Sequence, residues 1–206
     1  MSITLFGTPE SVYVRIVRLV LEVKKLDHTF VMADVFEDRG LPANYTGRHP
    51  FRRIPSIEVD GISLYETDAI VHYLDTVFPQ PAMIPADPLE AARMRQIMRV
   101  VDAYAYRTLV WDIYVPQWWR ESAEPGAEVL AAGRHVLLAL EALMTPAFRL
   151  WPPTLGWCYL AAVLAVTDSV APGAVLIDRA PLLRSWWNGI RETPPMLATR
   201  SKESLY

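Results

Sequence analysis

Short apolar runs alternate with one amphipathic segment at the start of the chain. Ile3 to Phe6 and Thr29 to Met32 are rich in β-branched and aromatic residues and are bounded by turn residues, which predicts two strands. Between them, Ser11 to Lys25 is apolar on most sides, which predicts a helix that is packed against a sheet. Four of its charged residues share one narrow stripe: Arg15, Arg18, Glu22 and Lys25.

A hairpin and a second helix are predicted next. Ile54 to Val59 and Ile62 to Tyr65 are separated by Asp60-Gly61, a dipeptide that suits the positive φ angles of a tight turn. A helix from about Thr67 to Val77 follows. The predicted order is β-α-β-loop-β-β-α, which is an α/β arrangement.

The remainder of the chain shows helical spacing. Apolar residues recur at three- and four-residue steps from Met94 to Trp111. Three more apolar segments follow after Pro or Gly breaks, at Gly126–Leu143, Leu155–Val170 and Ala180–Glu192. The pattern predicts an all-α bundle.

A proline-rich segment separates the two patterns. Residues 78–88 contain four prolines, which cannot continue a helix and favour extended linker geometry. We therefore expect an α/β domain at residues 1–80, a linker at 81–88 and a helical domain at 89–206.

Composition and charge narrow the classes of function. The chain has 206 residues, 52% of them hydrophobic, a net charge of −3 and no long basic run, so a globular protein that does not bind nucleic acid is expected. The longest apolar stretch, at 155–166, is shorter than the roughly 20 residues of a membrane span, and the N-terminus lacks the regions of a signal peptide. A single cysteine, Cys158, and four scattered histidines indicate a reducing compartment and no metal site. These features predict a cytoplasmic protein without a membrane partner.

Three segments, in their order and spacing, resemble the N-terminal domain of the cytosolic glutathione transferases. They are Leu5-Phe-Gly-Thr-Pro-Glu-Ser11, His49-Pro-Phe-Arg-Arg-Ile-Pro-Ser56 and Leu64-Tyr-Glu-Thr-Asp-Ala-Ile-Val-His-Tyr-Leu74. A weaker resemblance covers Thr154-Leu-Gly-Trp-Cys158 and Pro181-Leu-Leu-Arg-Ser-Trp186. The resemblance implies a thioredoxin-like domain that binds glutathione, a helical domain that lines an electrophile pocket, and a homodimer that serves detoxification.

Ser11 occupies the position where the resemblance implies the catalytic hydroxyl of a serine-type transferase, similar to the bacterial or phi and theta classes. A hydroxyl donor and the positive end of a helix dipole would together stabilise the thiolate of glutathione. From the residues alone, a serine before an apolar helix is an N-cap, and this alternative stays open. Thr8 and Tyr13 are reserve candidates for the hydroxyl.

Five further residues are implied to bind glutathione. The family's cis proline corresponds to Pro55, which lets Ile54 present its backbone to the cysteinyl part of the tripeptide. Arg53 would meet the glycine carboxylate, with a solvated surface charge as the alternative. Glu66 and Thr67 would hold the γ-glutamyl end at a helix start, with an ordinary threonine N-cap as the alternative.

The chain also departs from the family pattern. His49 replaces a usual asparagine, Arg52 replaces a glycine, and Trp157 replaces the aspartate of a reciprocal helix cap. The resemblance further implies a second-substrate pocket on the helix after the linker, which would be lined by Tyr104, Arg107, Thr108 and Trp111.

The implied function is the conjugation of glutathione, as co-substrate, to hydrophobic electrophiles without a metal. Two alternatives stay open. One is a non-catalytic binding or regulatory protein of the same fold, and the other is a glutathione-dependent isomerase or dehalogenase with a different second pocket.

Overall fold

A computed structural model describes residues 1–37, 40–119, 124–144 and 153–201 of the chain. It contains one four-stranded mixed sheet with the strand order β2-β1-β3-β4. The strands are β1 (Ile3–Gly7), β2 (Thr29–Met32), β3 (Ser56–Val59) and β4 (Ile62–Tyr65). β1 is parallel to β2 and antiparallel to β3, and β3 is antiparallel to β4.

Two helices complete this α/β unit. α1 (Val12–Val23) connects β1 to β2, and α2 (Thr67–Val77) follows β4, so the predicted β-α-β-loop-β-β-α order is confirmed. One boundary differs from the prediction, because β3 begins at Ser56 and not at Ile54. The intervening Pro55 has no N–H to give to the sheet.

Two arginines of the polar stripe, Arg15 and Arg18, bind another part of the protein. Arg15 is only 8% exposed, and its guanidinium donates to the Thr199 hydroxyl at 3.4 Å and to the Met196 carbonyl at 3.1 Å. Arg18 donates to the carbonyl oxygens of Thr199 and Ala198. The stripe therefore ties α1 to the last described segment of the chain.

The second part of the chain is helical, in agreement with the prediction. Its elements are α3 (Pro88–Val100), a π-helical segment (Val101–Tyr114), α4 (Val115–Trp119), α5 (Ala127–Ala142), α6 (Leu155–Asp168), α7 (Ala171–Asp178), α8 (Pro181–Ile190) and α9 (Pro194–Ala198). The helical run that was expected from Met94 to Trp111 is thus two segments with different backbone hydrogen bonding.

The sequence patterns missed α7 and α9. Both are short and carry proline in their first turn, where its missing N–H costs nothing, so a residue that reads as a break instead begins a helix. Gly173 in α7 has a further reason: a Cβ there would lie 2.0 Å from the carbonyl oxygen of Thr167. Only glycine permits this approach of α7 to the end of α6.

α6 forms the centre of the core. All of its residues are buried, and it contacts α1, α3, α7, α8 and the π-helical segment. Its largest buried side chains are Trp157 and Tyr159. Among the helices of the described ranges, none combines the length and apolarity that are needed to cross a membrane.

Candidate active site

A cavity of about 290 Å³ lies where the loop before β3, the start of α2 and the helices α1, α3 and α6 meet. Five of the residues predicted to bind glutathione line it, namely Arg53, Ile54, Pro55, Glu66 and Thr67. The other lining residues are Tyr13, His49, Asp68, Arg99, Asp102 and Tyr159.

The loop wall of the cavity is held by backbone and hydroxyl contacts. The Ile54-Pro55 peptide bond is cis. The Tyr45 hydroxyl donates to the Arg53 carbonyl at 2.8 Å and accepts from the Ser56 hydroxyl at 3.2 Å. Tyr45 is buried, so the loop that carries Arg53 and Pro55 is fixed to the end of β3.

The turn from β4 into α2 forms the opposite wall. Glu66 has φ of 67°, in the left-handed region that non-glycine residues rarely adopt, and it is the N-cap of α2. No side-chain hydrogen bond caps this helix start, and Thr67 is its first helical residue. The alternative of an ordinary Thr67 N-cap therefore does not hold, and the first N–H groups of α2 are available to an anionic ligand.

Charges of both signs line the cavity. Arg53 and Arg99 are cationic, and Glu66, Asp68 and Asp102 are acidic. Burial raises the pKa of the Asp102 carboxyl, whereas Arg99, which donates to it at 3.2 Å, lowers that pKa. A zwitterionic ligand would find partners for both of its charges here.

Tyr13 is the lining residue whose hydroxyl was a reserve candidate for catalysis. Its ring packs on Tyr106 with 4.4 Å between the centroids. Burial, assisted by the Asp102 carboxylate, raises the pKa of Tyr13 far above its usual value. The phenol therefore stays protonated, and its hydroxyl donates to the Asp102 carboxylate.

Ser11 lies outside the lining of the cavity and caps α1. Its Oγ accepts a hydrogen bond from the Val14 N–H at 3.3 Å. Because a hydroxyl has one hydrogen to donate and two lone pairs, this contact leaves its O–H free for a second partner. The geometry is compatible with both the N-cap and the catalytic interpretation, and the catalytic role of Ser11 stays a prediction.

The four residues predicted for the second-substrate pocket also lie outside this lining. Tyr104 is 61% exposed, and the exposed Arg107 pairs with Asp112 at 3.0 Å. Trp111 packs edge-on against Tyr106 and against Phe36 of the loop after β2. The prediction for Tyr104, Arg107, Thr108 and Trp111 stays untested.

The helix after α3 has a π-helical backbone, in which a hydrogen bond to the fifth residue widens each turn, so positions that share a face in an α-helix diverge. Tyr106 packs on the ring of Tyr13 and Asp102 lines the cavity, whereas the four predicted residues lie outside the lining. Nothing in the sequence pattern indicated this change of period.

Cys158 lies in the core, away from the cavity lining. It is fully buried in α6, and burial raises the pKa of this thiol. Trp157, next to it, is also buried, while its N–H still donates to Thr154 Oγ1 at 3.2 Å. One half of the expected reciprocal cap is therefore kept. In the part of the chain that the structure describes, no cluster of three or more His, Cys, Asp or Glu side chains has a metal-binding arrangement.

Comparison with known proteins agrees with this geometry. Residues 5–82 match the family model "Glutathione S-transferase, N-terminal domain". Glutathione S-transferase omega-2 of Homo sapiens is 34% identical over 200 residues, which is 92% of this chain and 76% of that protein. The chain belongs to the glutathione S-transferase family. The predicted boundary at residues 81–88 is a separate matter and stays a prediction.

Other members of the family are similar over different lengths. Maleylacetoacetate isomerase of Pseudomonas aeruginosa is 37% identical over 89 residues, which is 41% of this chain and 42% of that protein. A probable maleylacetoacetate isomerase of Drosophila melanogaster matches over 36% of its own length. The matched region thus covers less than half the length of each of these isomerases.

Solved structures show the fold. The epsilon-class glutathione S-transferase of the housefly Musca domestica superimposes with a TM-score of 0.81 at 18% identity, over 97% of this chain and 92% of that one. At this identity the likeness establishes the thioredoxin-like and helical architecture.

Proposed function

We propose that the chain binds glutathione in the cavity and transfers its thiolate to a hydrophobic electrophile. The observation that carries this proposal is the cavity itself. It joins a cis-proline loop, a cation at Arg53, an acid at Glu66 and an uncapped helix start at Thr67 within one site of about 290 Å³. Glutathione has a free ammonium, two carboxylates and a peptide backbone. The cavity offers a partner to each of these ligand groups.

The tripeptide would lie with its γ-glutamyl end at the start of α2 and its backbone along Ile54. The carboxylate beside the ammonium would accept from the N–H groups of α2, and Glu66 would accept from the ammonium. The thiol would then face the start of α1, where Ser11 offers a hydroxyl donor and Tyr13 lines the cavity. This placement orients the sulfur before it reacts.

The reaction needs only a proton transfer and a displacement. The thiol proton passes to solvent, and hydroxyl donors and the helix dipole stabilise the thiolate. Its sulfur lone pair forms the bond to the electrophilic carbon, while the leaving group departs with the electrons of its broken bond. The protein's residues bind, orient and stabilise charge, and no metal is needed.

A second candidate, a glutathione-dependent cis–trans isomerase, is favoured by the match to the maleylacetoacetate isomerases. In that reaction the thiolate adds to a conjugated double bond, the resulting single bond rotates, and the thiolate leaves with its electron pair. Glutathione is regenerated. The same glutathione site would serve both reactions.

We also propose a cytoplasmic homodimer that serves detoxification. Exposed aromatic surface at the edge strand β4 supports a protein partner: Phe51 is 68% exposed and packs on Tyr65. A second copy of the chain is the partner that family resemblance favours.

Calorimetric titration with glutathione and turnover assays test the proposed function together. A hydrophobic aryl halide tests conjugation, and maleylacetoacetate tests isomerisation. Binding with conjugation supports the transferase, and binding with isomerisation alone supports the second candidate. Binding without either reaction supports a non-catalytic protein, whereas absence of binding contradicts a glutathione site.

The start of α2 gives a prediction for affinity. Thr67→Ala removes a hydroxyl but keeps the backbone N–H, so we expect about a five- to thirtyfold weaker affinity for glutathione. Glu66→Gln removes the charge that pairs with the ligand's ammonium, and its effect should be similar or larger and should shrink in high salt. Calorimetry at two salt concentrations measures both effects. Unchanged affinity with a lowered melting temperature would show that the pair only stabilises the helix start.

A further inference from the structure

Residues 196–201 lie along the side of α1 that begins at Ser11. Arg15 and Arg18 follow Ser11 at helical spacing, so the three residues share that side of the helix. The Arg15 guanidinium donates to the Thr199 hydroxyl at 3.4 Å, and Arg18 donates to the Thr199 carbonyl at 3.1 Å. This segment is therefore bound to the helix whose N-cap is the predicted catalytic serine.

The contacts between α1 and this segment are buried. Thr199 is fully buried, and its hydroxyl also donates to the Pro195 carbonyl at 2.9 Å. Burial lowers the pKa of Arg15 to about 10, so the guanidinium keeps its charge near pH 7. Hydrogen bonds from a charged donor are stronger than those between neutral groups. The backbone of the segment is thus fixed relative to α1 before the chain reaches Ser201.

Ser201 contacts the turn that precedes α1. Its Oγ donates to Glu10 Oε1 at 2.8 Å, and Ser201 is buried while Glu10 is half-buried. Glu10 is the third residue of the turn from Thr8 to Ser11, which the Ser11 N–H closes by donating to the Thr8 carbonyl. The Glu10 side chain therefore links the 196–201 segment to the residue directly before Ser11.

The turn depends on this outside contact because its own closure is weak. The Ser11 N–H lies 3.3 Å from the Thr8 carbonyl, and such N–H to oxygen bonds usually measure about 2.7–3.2 Å. The backbone of Ser11 is extended, with φ of −68° and ψ of 123°, so the direction of its side chain follows the turn as well as the helix. A displacement of about 1 Å in a reacting group can lower a rate about 100-fold. A contact that holds Glu10 thus bears on where Ser11 presents its hydroxyl.

We propose that Ser201 is a positioning residue, whose hydrogen bond to Glu10 holds the turn from Thr8 to Ser11 so that the Ser11 hydroxyl faces the bound thiol. This inference rests on the proposed function, since the direction of Ser11 affects turnover only if its hydroxyl serves that thiol. Ser201 lies outside the lining of the cavity and acts through Glu10. The 196–201 segment would thus support turnover in addition to joining the helical part of the chain to α1.

The test is a double-mutant cycle on the full chain with Ser201→Ala, Glu10→Ala and the double variant, assayed with glutathione and a hydrophobic aryl halide. We expect Ser201→Ala to lower kcat about three- to tenfold and to leave the KM for glutathione nearly unchanged. The double variant should lose no more than Glu10→Ala alone, because the two side chains act through one contact. Ser201→Thr keeps the hydroxyl and should restore most of the turnover.

Ser169→Ala is the matched control. The Ser169 hydroxyl donates to the Val166 carbonyl at 2.6 Å, directly after α6 and outside the lining of the cavity. The control therefore removes one partly buried serine hydroxyl with one acceptor, as Ser201→Ala does. Its kcat should equal that of the unaltered protein.

The bound thiol gives a readout that a purely structural role would not change. With saturating glutathione, Ser201→Ala should raise the pKa of the bound thiol toward that of the free thiol, as measured by ultraviolet absorbance of the thiolate. In a Ser11→Ala background, Ser201→Ala should change neither this pKa nor kcat further, because the hydroxyl that it positions is gone. Thermal melting of each variant measures the change in stability separately.

An unchanged kcat in Ser201→Ala would overturn the proposal, even if the melting temperature fell. A loss that persists in full in the Ser11→Ala background would also overturn it, as would full activity of Ser11→Ala. Failure of the unaltered protein to bind glutathione would contradict the proposed function itself. Conjugation by the unaltered protein and equally by Ser201→Ala would contradict only the role of Ser201.

Discussion

Replacing Ser11 by alanine is expected to lower turnover about 10- to 1000-fold while leaving the affinity for glutathione nearly intact. The loss has the size expected for removal of one hydrogen-bond donor to a developing or resident anion. Affinity should survive because the contacts that hold the tripeptide come from the walls formed by Arg53 to Pro55 and Glu66 to Thr67. Steady-state kinetics with a hydrophobic aryl halide, together with calorimetry, measures the two quantities separately.

The control for Ser11→Ala must account for its role as a helix cap. Thr154 is a matched residue, since its hydroxyl caps α6 by accepting from the Trp157 N–H at 3.2 Å, as Ser11 accepts from Val14 at 3.3 Å. Thr154→Ala should cost about the same 1 kcal/mol of stability and leave turnover unchanged. Equal activity of both variants would remove Ser11 from the mechanism. Tyr13→Phe, which deletes a hydroxyl from the cavity lining, would then be the next variant.

Replacing Lys24 by methionine is expected to lower the free energy of unfolding by about 3–5 kcal/mol. The Lys24 side chain is fully buried, and its ammonium lies 2.7 Å from the Asp75 carboxylate. It also donates to the carbonyl oxygens of Phe78 and Pro81 at 2.6 and 2.9 Å. Methionine has a similar shape but leaves a buried carboxylate and two carbonyl groups without this partner.

Lys25→Met is the matched control, because Lys25 is an adjacent, exposed lysine. It should change stability by no more than about 0.5 kcal/mol. Urea unfolding followed by circular dichroism measures both variants. In the double variant Lys24→Met/Asp75→Asn the buried charge is gone, so part of the loss should be recovered. A loss below about 1 kcal/mol for Lys24→Met would show that this contact does not hold α1 to the end of α2.

Two walls of the candidate site, the loop before β3 and the turn from β4 into α2, were predictable from sequence because each rests on a local signal. A proline directly before a β-like run and a Glu-Thr pair directly before an apolar helix are recognisable wherever they occur in this order. The structure brings Pro55 and Glu66 to one cavity through the antiparallel pairing of β3 with β4. The hairpin signal at Asp60-Gly61 already indicated that pairing.

The third wall, which the helical part of the chain forms, could not be predicted from sequence. It depends on how the helices pack and on an unusual backbone. Arg99, Asp102 and Tyr159 come from three helical elements that meet only after α6 is buried in the core. The π-helical segment changes the period that sequence reasoning assumes. Arg15 illustrates the same limit, since a charged residue in a helix stripe is ordinarily read as solvated, and here it donates to Met196 in α9 and to Thr199 directly after it.

The pKa of glutathione's thiol in the complex tests most directly whether this site activates glutathione. It is followed by ultraviolet difference absorbance of the thiolate as the pH is raised, with saturating glutathione and matched solutions without protein. A free thiol has a pKa of about 8.5, and a hydroxyl donor with a helix N-terminus should lower the pKa of the bound thiol by about two units. We expect a thiolate signal that is well developed at neutral pH in the unaltered protein and in Thr154→Ala, and that is diminished in Ser11→Ala. A bound thiol that titrates like the free one would contradict the proposal that this site activates glutathione.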